Sequence, residues 1–396
     1  MSLTDTPNAN RLHITLFGRR NSGKSSLINA LTGQDIALVS NTPGTTTDLV
    51  SKAMEIQGIG PCLFIDTPGF DDEGELGELR ISRTLKAIEK TDIALLLCED
   101  TTFSHEKEIL ALLKEKNIPV IPVLNKIDIR ENSDHLATYI EEQCKIHPLL
   151  ISAKEKIGIE LIRQAILEKL PSDFGQQSIT RELVTENDLV LLVMPQDIQA
   201  PKGRLILPQV QTIRELLDKK CLVVTCTTDK FSVTLQALAR PPKLIITDSQ
   251  VFKAIYEQKP KESELTSFSV LFAGYKGDIH YYVESAAVIE RLTESSRVLI
   301  AEACTHAPLS EDIGRVKLPR LLRKWIGENL QIDMVAGTDF PQDLTPYSLV
   351  IHCGACMFNR KYVLSRIERA REQHIPMTNY GVAIAFLNGI LDQIKY

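Results

Sequence analysis

The sequence lacks the long apolar run that a membrane-spanning helix requires. No stretch of the 396 residues approaches the roughly 20 apolar positions needed to cross a bilayer. Also missing is a basic N-terminal region followed by a short apolar segment, which is the pattern of a secretory signal. From these two absences we expect no membrane partner and a cytoplasmic location.

A surplus of basic charge is missing as well. The chain has 45 Lys and Arg against 51 Asp and Glu, a formal net charge of −6, whereas proteins that bind nucleic acid are more often basic. The C-terminal part shows no aromatic-rich stripe on which bases could stack, and no G-x-x-G loop lies between its predicted helices. We therefore expect no nucleic-acid partner.

Cysteines are few, and nothing suggests that they form a disulfide framework. The chain has 8 of them, and a cytosolic location would keep them reduced. Most lie in or beside apolar strands or in a predicted helix, where we expect buried or unremarkable thiols: Cys62, Cys98, Cys144, Cys221 and Cys226. Three others follow apolar runs in the C-terminal third and are candidates for metal ligands or reactive thiols.

The order of apolar segments predicts an α/β protein. Strand and helix patterns alternate from about residue 11 to 170 and then in two further series, which is typical of parallel sheets covered by helices. A chain of this length is expected to form two or three domains. We predict three consecutive α/β domains at 1–172, 180–264 and 265–396, with the segment "FSVLFA" (268–273) as the first strand of the third.

The first domain contains "GRRNSGKS", which fits the phosphate-binding pattern G-x-x-x-x-G-K-S/T. It follows a predicted strand and opens a predicted helix, the context that this loop requires. Glycines let backbone N–H groups approach phosphate oxygens, Lys24 can reach the β- and γ-phosphates, and the Ser25 hydroxyl can ligate Mg²⁺. The predicted phosphate-binding residues are Gly18, Asn21, Ser22, Gly23, Lys24, Ser25 and Ser26.

Three further motifs end predicted strands of the same domain. In "DTPG", the Asp66 carboxylate can hold Mg²⁺ through water and the Gly69 N–H can sense the γ-phosphate. In "NKID", the Asp128 carboxylate can accept two hydrogen bonds from guanine, a donor pair that adenine lacks. In "SAK", the backbone can recognise the guanine O6. Four motifs in this order, at the ligand-binding ends of strands, predict a GTP site whose base-binding residues are Asn125, Lys126, Asp128, Ser152, Ala153 and Lys154.

The four motifs resemble those of the TrmE–Era group of translation-factor-like small GTPases. In TrmE-like GTPases an Asn at the position of Asn21 helps to hold K⁺ near the β/γ bridge, so the resemblance implies potassium-stimulated hydrolysis. The alternative is that Asn21 only satisfies the backbone of its loop. By the same resemblance Thr46 is the switch-I ligand of Mg²⁺, with Thr45 and Thr47 as competitors.

The residue after "DTPG" is Phe70, where Ras-type enzymes place a glutamine that orients the attacking water. A phenyl ring cannot orient water by a hydrogen bond, so intrinsic turnover is expected to be slow unless another group acts. The TrmE resemblance implies a switch-II acid, for which Glu78 is the best positional match, although a solvated helix carboxylate is the competing interpretation. The residues expected to serve hydrolysis are Lys24, Thr46, Gly69 and Glu78.

A second candidate site is built from cysteine and histidine. "HCGAC" (352–356) follows the predicted strand "SLVI", and "CTH" (304–306) follows "RVLIA". If these strands are neighbours in a parallel sheet, both loops open on one edge and bring three cysteines and two histidines together. Thiolates favour zinc or iron–sulfur clusters. Three cysteines without an obvious fourth suit a [4Fe–4S] cluster with one unusual iron corner, and a Cys₃His zinc site stays open.

The combination of a TrmE-like GTPase domain, a middle α/β domain and C-T-H … H-C-G-A-C resembles the HydF family, the GTPase scaffold proteins of [FeFe]-hydrogenase maturation, over essentially the whole chain. The resemblance implies a homodimer formed by the middle domain and a [4Fe–4S] cluster in the last. It also implies that the protein receives a diiron subcluster from radical-SAM enzymes and delivers it to apo-[FeFe]-hydrogenase.

The resemblance implies Cys304, Cys353 and Cys356 as cluster ligands. His306 and His352 either ligate the fourth iron or donate hydrogen bonds near it, and we favour an exchangeable fourth ligand. Two rival functions stay open. One is a GTPase of RNA maturation, like Era or TrmE, with a C-terminal zinc module; the other is a chaperone for nickel or iron that holds no cluster of its own.

Overall fold

The fold was analysed in a computed structural model of the chain. The structure describes residues 6–32, 50–68, 83–100, 103–171, 174–175, 177–195, 205–303 and 313–396. Some of the residues singled out from the sequence lie outside these ranges: Thr46, Gly69, Glu78, Cys304 and His306. The chain divides into two compact units, an N-terminal unit of residues 1–175 and a C-terminal unit of residues 176–396.

The N-terminal unit contains a six-stranded sheet in the order β2-β3-β1-β4-β5-β6. Its strands are β1 (Leu12–Gly18), β2 (Val50–Ile56), β3 (Gly60–Asp66), β4 (Ile93–Cys98), β5 (Val120–Leu124) and β6 (Leu149–Leu150). The described helices are α1 (Lys24–Thr32), α2 (83–88), α3 (Ser104–Glu115), α4 (Ser133–Cys144) and α5 (Ile159–Glu168). Only β2 runs antiparallel to its neighbour among these strands, and the sequence reading missed this edge strand.

Strands β1, β4 and β5 are buried along their whole length, as expected for a sheet with helices on both faces. Two apolar clusters cover those faces. One includes Leu16 of β1 and Leu27 of α1, and the other includes Phe17 of β1 and Leu113 of α3. Successive residues of β1 therefore enter opposite cores, and this alternation fixes the register of β1 in the sheet.

The C-terminal unit contains two four-stranded sheets, ordered β10-β9-β7-β8 and β12-β11-β13-β14, and every described pairing in them is parallel. The strands are β7 (Leu189–Val193), β8 (Leu222–Cys226), β9 (Leu244–Thr247), β10 (Glu264–Ser267), β11 (Arg297–Glu302), β12 (Gln331–Ala336), β13 (Leu349–His352) and β14 (Met377–Asn379). The helices are α6 (Leu207–Asp218), α7 (Phe231–Ala237), α8 (Phe252–Gln258), α9 (Phe268–Lys276), α10 (Ile279–Ala286), α11 (Leu318–Ile326), α12 (Arg360–Glu372) and α13 (Tyr380–Leu387).

The prediction of a strand at "FSVLFA" was wrong, because these residues form α9. The Ser267 hydroxyl caps the helix by accepting a hydrogen bond from the Val270 N–H. A short apolar run does not distinguish a buried strand from a helix buried on most sides. Helix α9 contacts α6 beside the first sheet and α12 and α13 beside the second. A helix packed on several sides is expected to be apolar around most of its circumference.

One continuous apolar cluster joins the two sheets of the C-terminal unit. It contains Ile245 of β9, Val270 of α9 and Val350 of β13. Side chains from one sheet can therefore reach the loops of the other. The predicted domain boundaries stay predictions.

No helix among the described residues combines the length and the apolar character required to cross a membrane.

Candidate functional site

The predicted phosphate-binding loop, residues 18–25, connects the buried strand β1 to α1 and is called the nucleotide loop below. Asn21 takes a left-handed conformation with φ 63°, and Gly23 has φ 91°. A Cβ at Gly23 would lie 2.2 Å from Nδ2 of Asn125. Glycine is therefore required there both by the backbone angle and by the close approach of the "NKID" motif.

Lys24 begins α1 and is 7% exposed. Its Nζ donates hydrogen bonds to the carbonyl oxygens of Gly18 at 2.8 Å and Arg19 at 2.7 Å. These contacts hold two loop carbonyls toward the lysine. Ser26 and Asn21 are exposed at the same end of the helix. The arrangement is an anion cradle that carries its own cation.

The predicted magnesium residues lie together. The Ser25 hydroxyl donates a 2.6 Å hydrogen bond to Oδ2 of Asp66 at the end of β3. Oδ1 of Asp66 is buried without a hydrogen-bond partner among the described residues. Burial raises the pKa of Asp66, and the hydrogen bond from Ser25 opposes that shift. A buried, unsatisfied carboxylate oxygen beside a hydroxyl fits a hydrated Mg²⁺ ion, which prefers oxygen ligands.

Asn125 links three of the motifs. Its Nδ2 donates to the Ser22 carbonyl at 2.9 Å, and its Oδ1 accepts the Ala153 N–H at 3.0 Å. Asp128 is exposed, and its hydrogen bond with Ser152 lowers the pKa of its carboxyl. Asp128 is thus held as an anion facing solvent, the state that guanine recognition needs.

The remaining residues predicted near the base lie on exposed or half-exposed positions. Lys126 has φ 66° and donates from Nζ to Glu99 at 2.9 Å, and the Lys154 side chain is 80% exposed. The hydrogen bonds of Ser25 and Asn125 therefore place the nucleotide loop, the predicted Mg²⁺ residues and the predicted base-binding residues at the same edge of the sheet.

The second site lies at the end of β13. This strand pairs in parallel with β11, with Ala301 opposite His352, so the predicted neighbourhood of the two strands is confirmed. The Ala303 N–H donates to Sγ of Cys353 at 3.1 Å. Ala303, the residue directly before Cys304, therefore lies beside the Cys353 sulfur.

We call residues 353–359 the cysteine loop. Ala355 has φ 50° and donates its N–H to Sγ of Cys353 at 3.4 Å. Burial raises the pKa of the Cys353 thiol to about 11, while the two amides oppose the shift. Cys353 and Cys356 are both partly exposed. Amide donors around a sulfur are typical of iron–sulfur ligands.

His352 is fully buried, and both ring nitrogens are engaged. Nδ1 lies 2.8 Å from the Cys353 carbonyl, and Nε2 lies 2.8 Å from a guanidinium nitrogen of Arg366. Burial and the Arg366 charge lower the pKa of His352 to about 3, so the ring is neutral. Nε2 then accepts from Arg366 and Nδ1 donates to the carbonyl. This geometry favours the hydrogen-bonding role of His352 over ligation.

Three family models match the chain in order. A 50S ribosome-binding GTPase model matches residues 13–126, a hydrogen maturase F dimerization model matches 179–277, and a hydrogen maturase F tetramerization model matches 280–395. Together they cover both units. The chain belongs to the hydrogen maturase F, or HydF, family.

Curated relatives match only part of this HydF-family chain. The tRNA modification GTPase MnmE of Dechloromonas aromatica is 40% identical over 159 residues, 39% of this chain and 34% of the relative. That of Nitrosomonas europaea is 38% identical over 160 residues, 40% of this chain and 34% of the relative. The chain thus spans about a third of the length of these relatives.

Solved structures give weak likenesses to this HydF-family member. A single-residue variant of Aquifex aeolicus Era bound to GDP.AlF4- is 22% identical, covers 54% of this chain and 92% of that one, and has a TM-score of 0.35. A probable GTP-binding protein engB is 26% identical, covers 40% and 97%, and has a TM-score of 0.33. Scores this low support no conclusion about this chain.

Sequence reasoning missed three residues that surround the cysteine loop of this HydF-family member: Lys276, Arg366 and Asn379. Arg366 is 1% exposed and lies 4.6 to 4.7 Å from the ring centroids of Phe340, Phe358 and Tyr362. The Asn379 amide donates to the Cys353 carbonyl at 3.3 Å. No motif spacing identifies these three residues. Since arginine is rarely buried unless it is paired, only an arginine at a core-facing position of α12 could have drawn attention to Arg366.

The described residues alone contain no group of three or more His, Cys, Asp or Glu able to hold a metal ion. What they do contain fits an iron–sulfur cluster: two partly exposed cysteines three positions apart, and amide donors from Ala303 and Ala355 to the sulfur of Cys353. A soft metal is the natural partner of such a donor set.

Proposed function

We propose that the protein is a GTP-hydrolysing scaffold that binds a [4Fe–4S] cluster and a diiron subcluster, and that delivers the diiron unit to apo-[FeFe]-hydrogenase. The proposal combines the family with the chemistry of the two sites. It is carried by one observation, the hydrogen bond from Ala303 to the Cys353 sulfur. That contact supports the convergence of two cysteine segments from neighbouring parallel strands.

In the N-terminal unit, GTP hydrolysis rests on charge placement. Lys24 would turn from the loop carbonyls to the β- and γ-phosphates, and Ser25 and Asp66 would hold Mg²⁺ directly or through water. Mg²⁺ neutralises the charge that develops on the phosphates. Thr46 would complete the ligand set, the Gly69 amide would face the γ-phosphate, and Glu78 would position water.

Guanine selectivity and potassium dependence are the finer parts of the proposal. The exposed, anionic carboxylate of Asp128 would accept hydrogen bonds from the N1–H and the 2-amino group of guanine. The side-chain oxygen of Asn21, exposed in the nucleotide loop, would contribute to a K⁺ site at the β/γ bridge. A positive charge at the β/γ bridge would stabilise the transition state, because negative charge develops at that position during hydrolysis.

In the C-terminal unit, we propose Cys304, Cys353 and Cys356 as the protein ligands of the cluster. His352 would serve as a hydrogen-bonding group, because both of its nitrogens already have partners. His306 or an exogenous ligand would take the fourth iron. A corner that exchanges its ligand suits a cluster that carries a second iron unit.

We also propose self-association and two transient partners. The matched models are described as dimerization and tetramerization domains, which supports a homodimer at least. Apo-[FeFe]-hydrogenase and the radical-SAM enzymes that build the diiron unit would be the other partners.

The test is reconstitution without oxygen, followed by loading with a diiron unit and addition of apo-hydrogenase. A brown protein that activates the hydrogenase supports the proposal. A colourless protein that binds zinc would favour the RNA-maturation function instead. A brown protein that fails to activate apo-hydrogenase would support the cluster and contradict the delivery of a diiron unit.

A further inference from the structure

Lys276 is the last residue of α9 and is only 2% exposed. Its Nζ donates to three main-chain carbonyls of the cysteine loop, those of Phe358 at 2.6 Å and of Ala355 and Cys356 at 3.3 Å. The residue lies 79 to 82 positions before its partners. It belongs to the segment matched by the dimerization model, while the cysteines belong to the tetramerization model.

The hydrogen bonds to Lys276 fix the direction of the loop peptides. With the carbonyls of residues 355, 356 and 358 directed at one ammonium group, the opposite ends of those peptide units face away from it. The left-handed residue Ala355 directs its amide at the Cys353 sulfur. Consecutive amides that converge around a left-handed residue form a concave anion site, which recurs at phosphate and iron–sulfur sites.

Lys276 is also a buried charge that lacks an acidic partner within the described part of the chain. Burial lowers the pKa of Lys276 to about 8, and the thiols of Cys356 and Cys353 oppose that shift. A buried cation without a counter-ion is costly. A thiolate-ligated iron–sulfur cluster carries negative charge and would supply the missing counter-charge.

We propose that Lys276 is a positioning residue of the cluster site: it holds the cysteine loop in its amide-outward conformation and places a positive charge behind the cluster. This inference rests on the proposed [4Fe–4S] cluster. Its consequence is electrostatic. A nearby positive charge stabilises the reduced, more negative cluster, so it raises the reduction potential. The dimerization segment thereby tunes a cluster held by the next segment.

The experiment compares the wild-type chain of 396 residues with Lys276→Met, Lys276→Gln and Lys276→Arg after anaerobic reconstitution. Reduction potentials are measured by redox titration followed by electron paramagnetic resonance, and iron content is measured beside them. We expect Met to lower both the potential and the iron content. Gln, which can still donate to the carbonyls, should retain more iron than Met but show the same lowered potential. Lys276→Arg keeps the positive charge, so its reduction potential and iron content should stay near those of the wild type.

The matched control is Lys259→Met. Lys259 lies in the same unit, and its Nζ donates to main-chain carbonyls of another loop, those of Pro260 at 3.2 Å and Ser263 at 2.7 Å. It should leave the potential unchanged. Circular dichroism of the iron-free proteins reports folding independently of the cluster.

Each result decides the question. If the wild type holds no iron–sulfur cluster, the proposed function fails first. If it holds one and Lys276→Met and Lys276→Gln leave the potential unchanged, only the role of Lys276 is overturned. If both neutral variants fail to fold without iron, Lys276 serves the stability of the unit and the inference is likewise overturned.

Discussion

The nucleotide loop and the cysteine loop are two versions of one construction. Each follows a strand that is buried throughout, β1 or β13, and each contains a left-handed residue other than glycine, Asn21 or Ala355. In each, a buried lysine holds main-chain carbonyls. An asparagine amide also donates to one loop carbonyl in each, from Asn125 or Asn379.

The difference lies in the origin of the lysine. Lys24 belongs to the loop that it contacts and begins α1, so it can move from the carbonyls to a bound phosphate. Lys276 comes from a helix packed against other elements and lies behind the loop at 2% exposure. The comparison teaches that loop amides can be directed toward an anion by a cation that joins the ligand or by one that stays in the core.

The largest expected effect is on the cysteine loop. Cys356→Ser should abolish cluster assembly, because a hydroxyl is a poor substitute for the thiolate that the iron site requires. Iron content and visible absorbance after reconstitution measure this, with Cys226→Ala as the control thiol in the same unit. GTP turnover should stay at the wild-type rate. Full iron content in Cys356→Ser would remove this residue from the ligand set.

The reciprocal change is Lys24→Ala. Loss of the phosphate-binding cation should lower GTP turnover by about 100- to 1,000-fold, a range typical of removing one group that stabilises transition-state charge. Phosphate release measures the rate, and Lys107→Ala, at an exposed position of α3, is the control. The brown chromophore should persist in both proteins. A variant that cannot hold iron would show that the two sites depend on each other more than their separate residues suggest.

A third change tests base selection. Asp128→Ala should abolish the preference for GTP over ATP, because a bidentate hydrogen-bonding pair to a base is worth roughly a 10- to 100-fold discrimination. Binding and hydrolysis of both nucleotides measure the preference, and Asp134→Ala at the start of α4 is an exposed control. Equal use of ATP and GTP by the wild type would contradict the guanine assignment itself.

The smallest expected effect is that of potassium. Hydrolysis by the wild type should be severalfold faster in KCl than in equimolar NaCl. Asn21→Gly should remove the difference, because glycine adopts φ 63° without strain but offers no side-chain oxygen. Asn21→Asp keeps an oxygen and should retain part of the response. Equal rates of the wild type in both salts would leave Asn21 with only a backbone role.

Much of the architecture followed from apolar segments bounded by polar residues. The three series of parallel strands appear where the alternation predicted them, since β-strands buried on both faces read as short apolar runs. Three elements did not follow. The antiparallel edge strand β2 has mixed polarity, β10 has a single apolar residue, Leu265, and α9 is too uniformly apolar to show a helical period. These failures arise where neighbours in space, rather than neighbours in sequence, set the pattern of polarity.

The candidate nucleotide site could be predicted because its chemistry is local. Gly18 to Ser25 form the cradle with their own backbone, and Asp66, Asn125 and Ser152 stand at fixed offsets after strands. The Cys353–Cys356 pair was visible for the same reason. Its approach to the segment of Cys304 was only a conditional expectation, since it depended on whether β11 and β13 pair, and the register of these strands met that condition.

The sequence by itself determined which ligands the two loops are suited to bind, because phosphate cradles and thiolate pairs are made of residues adjacent in the chain. Only the tertiary structure decided what lies behind the loops. Lys276 reaches its partners across 79 to 82 positions and Arg366 reaches His352 across 14. Whether a charged side chain is buried, and which carbonyl or ring it faces, depends on helix packing, and packing has no fixed sequence spacing.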